Sequence, residues 1–195
     1  MTMPHSAFQH DHYMLHRQVL ALTGKFRLYD RNDQLVLFSQ QKMFKLREDV
    51  RIYSDETRSQ ELLHIHARQI IDFSAAFDVI DSLDGSHVGS IRRKGFHSLV
   101  RDEWQLFDGQ ERPFGVLIED NLTLALLRRF VLGSWLPQNY DIIVNHQRVA
   151  DLRQRFNLLR YQLALDFSPD KDRLLDRRLG IAAAILLGTI EGRQE

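Results

Sequence analysis

The chain contains no cysteine. That excludes a disulfide framework, a thiolate zinc site, a cysteine nucleophile and a palmitoylation site, and it leaves the core alone to hold the fold, as suits a reducing cytoplasm. Net charge is missing too, because 26 basic and 26 acidic residues cancel. A protein that coats nucleic acid through bulk charge is strongly basic, so nucleic acid is not an expected partner, although a local basic patch still fits within a balanced total. Proline is scarce, with four residues against twelve Phe, the reverse of a disordered composition. Long hydrophobic runs are lacking. The longest, Leu179 to Ile190, has twelve residues where a spanning helix needs roughly 20, so no transmembrane segment is expected. Met1 to His12 has no basic start followed by an apolar stretch and does not read as a secretory signal. Catalytic signatures are also absent: there is no G-x-S-x-G, no G-x-x-x-x-G-K-S/T and no G-x-G-x-x-G. No enzyme is expected.

What is present is an ordinary globular composition, 44% apolar and 27% charged over 195 residues, enough for one all-β domain with a real core. From Tyr13 to about Ile118 short β-rich runs alternate with turns. Phe26 to Tyr29 and Leu35 to Phe38 flank a turn opened by Asp30, Phe77 to Ile80 and Val88 to Ile91 one opened by Asp81, and Trp104 to Phe107 and Phe114 to Ile118 one opened by Asp108. Asp, Asn and Gly tolerate the left-handed backbone that such turns need. Further strands are expected at Arg51 to Tyr53, Leu62 to Ile65, Asp141 to Val144, Gln147 to Ala150 and Tyr161 to Leu165. Asn121 to Gly133 reads as a helix capped by Asn121. A closing helix is expected from Leu174 to Ile190, opened by Ser168 and Pro169. Its centre is apolar on every face and thin, with Gly180, Ala182, Ala183, Ala184 and Gly188, which predicts burial inside the protein rather than in lipid.

The order of these features resembles the LURP-one-related proteins of the tubby and phospholipid scramblase superfamily. The resemblance rests on Tyr29 to Asn32 with Leu35-Val36, on Gln41 to Asp49, on Tyr53 to Glu56, on Ile70 to Ser74, on Val88 to Lys94, on Arg101 to Trp104 and on the closing helix. It implies a mainly β fold: a closed antiparallel barrel of about twelve strands around a buried C-terminal helix, tubby C-terminal-like, with residues 1–12 as an N-terminal extension and 13–195 as one domain. Tubby-like members bind phosphoinositides through surface basic residues, and scramblase-like members associate with membranes. The chain departs from the scramblase pattern, having no Pro-rich extension, no cysteine cluster and no calcium-loop pattern, so scrambling is not carried over. In such a barrel Arg177 and Arg178 would rim the mouth, paired with Asp172 or Asp176.

The densest basic cluster is Arg92, Arg93 and Lys94, with Arg101 shortly after. As a patch it would gather the phosphate oxygens of anionic phospholipid head groups, each basic residue adding about 1 kcal/mol near an anionic surface. The plainer reading is a solvated strand end balanced by Asp102 and Glu103. Lys42, Lys45, Arg47 and Arg51, broken by Glu48 and Asp49, read as an exposed face of mixed charge. His64 and His66 would share one face of a strand, but zinc needs a further ligand and no cysteine exists to supply it; no metal site and no cofactor are expected. His5, His10, His12 and His16 match no metal spacing. Glu119 and Asp120 stand where a helix start favours negative charge. The expectation is thus a non-enzymatic domain, cytoplasmic and peripheral to the membrane, that binds anionic phosphate-bearing groups through Arg92, Arg93, Lys94 and Arg101. The alternative is a protein-interaction or structural domain of the same fold with no lipid role.

Overall fold

The computed structural model describes residues 4–18, 23–42, 49–68, 76–93, 103–120, 138–155 and 160–191. Twelve antiparallel strands close into a barrel, each pairing with its neighbours in sequence and β1 closing on β12. They are β1 (His12–Gln18), β2 (Thr23–Tyr29), β3 (Leu35–Lys42), β4 (Val50–Tyr53), β5 (Glu61–Ala67) and β6 (Ala76–Asp81). The second half comprises β7 (His87–Arg93), β8 (Glu103–Asp108), β9 (Pro113–Glu119), β10 (Asn139–Val144), β11 (Gln147–Arg155) and β12 (Arg160–Asp166). The helix α1 (Arg177–Glu191) follows β12. The expected mainly β barrel around a C-terminal helix is what forms. The strand β1 had not been singled out from the sequence. The expected helix at 121–133 lies outside the described residues.

Alternation with period two builds the wall. Tyr13 and Leu15 of β1, Phe26 and Leu28 of β2, Leu63 and Ile65 of β5, and Leu163 and Leu165 of β12 all point inward and are buried. They close on α1, whose residues from Leu179 to Leu187 are buried in one contiguous core with them. A twelve-stranded barrel has a lumen too wide for wall side chains alone to fill, and the helix occupies it. Helix and wall touch because glycines let them. A Cβ on Gly180 would fall 2.5 Å from Cε1 of Phe167, and one on the inward Gly89 would fall 2.3 Å from the Phe107 carbonyl oxygen.

Because every strand joins its neighbour, the β2–β3, β4–β5, β6–β7, β8–β9 and β10–β11 turns share one end of the barrel with the start of α1. The three Asp-opened turns form as the chemistry requires. Asp30 Oδ1 accepts from the backbone of Asn32 and Gln34, Asp81 Oδ1 from Leu83, and Asp108 Oδ1 from Gln110 and Arg112. The left-handed residues are Asp33, Gly85 and, in the third turn, Glu111 rather than Gly109.

The helix starts later than expected. Leu174 lies outside it, and Ser168-Pro169 belongs to a turn in which Ser168 donates to Asp166. Asp176 caps α1 instead, accepting from the backbone of Arg178. Asp170 accepts from the backbone of Leu174 and Leu175 and from the Arg177 guanidinium. Arg177 thus pairs with Asp170 and Asp11, and Arg178 with Asp176 and Asp81, rather than with Asp172. Residues before β1 pack on this end: Ala7 and Phe8 are buried, and Tyr13 donates to the Ala7 carbonyl. Among the described residues no helix is long and apolar enough to cross a membrane.

Candidate functional site

A filled lumen leaves the outer wall and the barrel ends as the places where chemistry can meet solvent. A dense set of functional side chains lies on the outer faces of β4 to β8. Cross-strand register lines up His66, Asp78, Ser90 and Phe107 in one transverse row. Arg68 follows β5 and pairs by its backbone with Ala76, which is opposite Arg92. Glu111 reaches the same patch from the β8–β9 turn, its position set by the left-handed backbone there.

Arg68 is the hub. Its guanidinium donates to both oxygens of Asp78 and to both oxygens of Glu111. Ser90 Oγ donates to Glu111 at 3.0 Å, and His87 lies between Asp78 (Nε2, 3.2 Å) and the Gly109 carbonyl (Nδ1, 3.1 Å). Arg92 lies with its guanidinium 4.4 Å from the Phe107 ring centroid and 3.8 Å from Glu111, with 39% of its side chain exposed. Two arginines face two carboxylates, so this face is charge-balanced.

The network fixes a pH dependence. Burial pushes the Asp78 carboxyl up, but Arg68 and His87 outweigh it and hold the group below the ordinary carboxylate range. Hydrogen bonding from Arg68 does the same for Glu111. A folded-state value below the unfolded one means stability that is present in full above about pH 4 and lost as pH falls through the folded values. Thermal melts between neutral and strongly acid pH are expected to fall more steeply below about pH 4 in the wild type than in Asp78→Asn. Parallel curves would show that the network carries no such linkage.

The expected basic cluster is divided by the strand that bears it. Arg92 follows Ser90 on the outer face of β7, whereas Arg93 follows the buried Ile91 on the inner side and lies 5.7 Å over the ring of Trp104, a core residue. The two arginines therefore do not share a face, since successive strand residues point opposite ways. Lys94 and Arg101 lie outside the described residues, as do Lys45 and Arg47. Arg51 is paired with Glu61 at 2.7 Å. Among the N-terminal histidines, His12 faces Asp166 and His16 packs on Tyr29, so they are dispersed along β1.

His64 and His66 share the outer face of β5, as the period-two reading expects, and the structure adds a third group that sequence reading missed. Asp49, immediately before β4, lies 3.0 Å from His64 Nε2 and 2.7 Å from His66 Nδ1. Burial raises the Asp49 carboxyl, but the two imidazoles outweigh it and hold it below its ordinary value. No Arg or Lys pairs with Asp49 among the described residues. The hairpin register, Val50 opposite Ile65, is what brings Asp49 beside His66.

Comparison with curated proteins found no match to this chain. A family model described as LURP-one-related matches residues 35–188. That span runs from β3 to the last turn of α1 and takes in ten of the twelve strands. On that match, over most of its length, and on the barrel built around its own C-terminal helix, the chain belongs to the LURP-one-related family.

Proposed function

We propose that this protein is a non-enzymatic surface-binding barrel that takes anionic phosphate-bearing groups, foremost phospholipid head groups, through basic side chains of β7. The observation that supports this most is Arg92. Its guanidinium stacks on Phe107, and its contact with Glu111 is at the long limit of an ion pair, so donors remain for an incoming phosphate. A guanidinium already held over a ring loses less rotamer freedom on binding than a free one. The packed lumen argues for a ligand taken on the surface.

Co-sedimentation with phosphatidylcholine vesicles, with and without phosphoinositide, tests the reading. Binding should require the anionic lipid and fade at raised salt, and Arg92→Ala should weaken it by roughly 5-fold, the equivalent of one basic contact. Binding that ignores lipid charge, or that survives Arg92→Ala combined with Arg93→Ala, would refute the proposal. One observation favours the second reading, an interaction domain without a lipid role: Arg68 and Arg92 are matched by Asp78 and Glu111, which leaves this face little net positive charge to draw an anionic membrane.

A further inference from the structure

We infer that Asp49, His64 and His66 form a binding site for one divalent transition-metal ion of the zinc type on the outer wall of the barrel. Their ligand atoms all lie within 4.8 Å of one another. A tetrahedral ion with ligands at about 2.0–2.2 Å needs them at edges of about 3.3 Å, a short closure from the spacing they already have. The carboxylate already presents one oxygen to each ring, at 3.0 Å and 2.7 Å. His64 Nε2 is sealed from solvent and, among the described residues, has no well-formed hydrogen bond, with an Asp49 oxygen 3.0 Å away. A nitrogen placed so is poorly used as a donor and well placed as a ligand.

The chemistry of the set selects the ion. Two imidazoles and one carboxylate suit Zn2+ and its first-row neighbours, whereas Mg2+ and Ca2+ seek six or more oxygens. The neighbouring trio of Asp78, His87 and Glu111 is also close enough to hold an ion, but Arg68 already occupies both of its carboxylates. Among the described residues Asp49 has no such competitor. His66 is 51% and Asp49 36% exposed, so a fourth position opens to solvent and the ion would exchange freely.

The site's place in the fold gives the ion a consequence. It ties the residue before β4 to β5, and β4 is the shortest strand, held to β3 by only two residue pairs, Phe38 with Tyr53 and Ser39 with Ile52, among the described residues. Bound metal therefore reinforces the β4–β5 side of this short strand, anchoring it opposite its sparse junction with β3.

Calorimetric titration of the chelator-treated full chain with ZnCl2, and separately with MgCl2, tests the inference, alongside thermal melts in each ion. One equivalent of zinc is expected, with a raised melting temperature and no response to magnesium. His64→Gln, His66→Gln and the isosteric Asp49→Asn, each matching the wild type by circular dichroism in metal-free buffer, should each weaken zinc by at least about 10-fold, the lower bound seen even for losses around the ligands. His10→Gln with His12→Gln should leave binding unchanged. Zinc uptake that survives the His64 and His66 substitutions, an equal response to magnesium, or no uptake at all would overturn it.

Discussion

Ala183→Arg is expected to yield no folded protein. Ala183 is 1% exposed at the middle of α1, and its neighbours Ile181, Ala182, Ala184 and Ile185 are wholly buried, so the new side chain has no route to water. Taking a guanidinium out of water without a partner costs several kcal/mol even after relaxation. The added volume costs about 1–3 kcal/mol more, because a close-packed core has no space for it. A domain is stable by only about 5–15 kcal/mol in total, so the two effects together consume most or all of it. Leu83→Arg is the control. Leu83 is 48% exposed in the β6–β7 turn, and the same substitution there is expected to change stability by no more than about 0.5 kcal/mol. Expression, circular dichroism and thermal melts of the two variants decide it. A soluble Ala183→Arg protein with the wild-type melting temperature would mean that α1 is not the lumen's filling.

That burial was legible because α1 has no polar face, and a helix apolar all round must be enclosed. Most of the wall was legible for a comparable reason. Asp30, Asp81 and Asp108 each open a turn by accepting from backbone two residues on, a local device that works whatever the rest of the chain does. Closure was implied only by family resemblance, since pairing of β1 with β12 joins residues far apart in sequence. The start of α1 was misplaced by strong local signals. Ser168 and Pro169 are good helix openers, but Arg177 and the backbone of Leu174 and Leu175 gather on Asp170, and the chain turns there first.

The surface was harder to read. Counting basic residues along the sequence finds Arg92 and Arg93 together, while a strand sends them to opposite faces. The pairing of His64 with His66 followed from the same period, yet Asp49 could be added only with the β4–β5 register known. Arg68 and Glu111 carried no motif at all. They meet across strands, and the left-handed backbone at Glu111 is set by a turn whose glycine points to a different residue.

Removing either partner of the Arg177–Asp170 pair is expected to destabilise the protein by about 3–5 kcal/mol. Their side chains are 4% and 1% exposed, and the contact is 2.7 Å. In Arg177→Ala the carboxylate keeps two backbone donors, from Leu174 and Leu175, but loses its cation. In Asp170→Ala the guanidinium keeps Asp11, at 3.1 Å, and the Phe167 carbonyl, at 3.3 Å, while Leu174 and Leu175 lose their acceptor. Asp170→Ala is therefore the more costly change, because it orphans two backbone N–H groups, whereas Arg177→Ala leaves the carboxylate both of its backbone donors. At about 2–4 °C of melting temperature per kcal/mol for a chain of this size, each variant should melt roughly 10 °C lower. Replacing both partners with apolar residues, Asp170→Leu with Arg177→Met, leaves no buried charge unpaired and should recover much of what the singles lose. Denaturant unfolding of the four proteins closes the cycle. A double variant as unstable as the sum of the singles would show that the pair is not coupled, and that Arg177 holds the barrel's mouth through its packing on Phe167, 4.8 Å from the ring centroid, rather than through its charge.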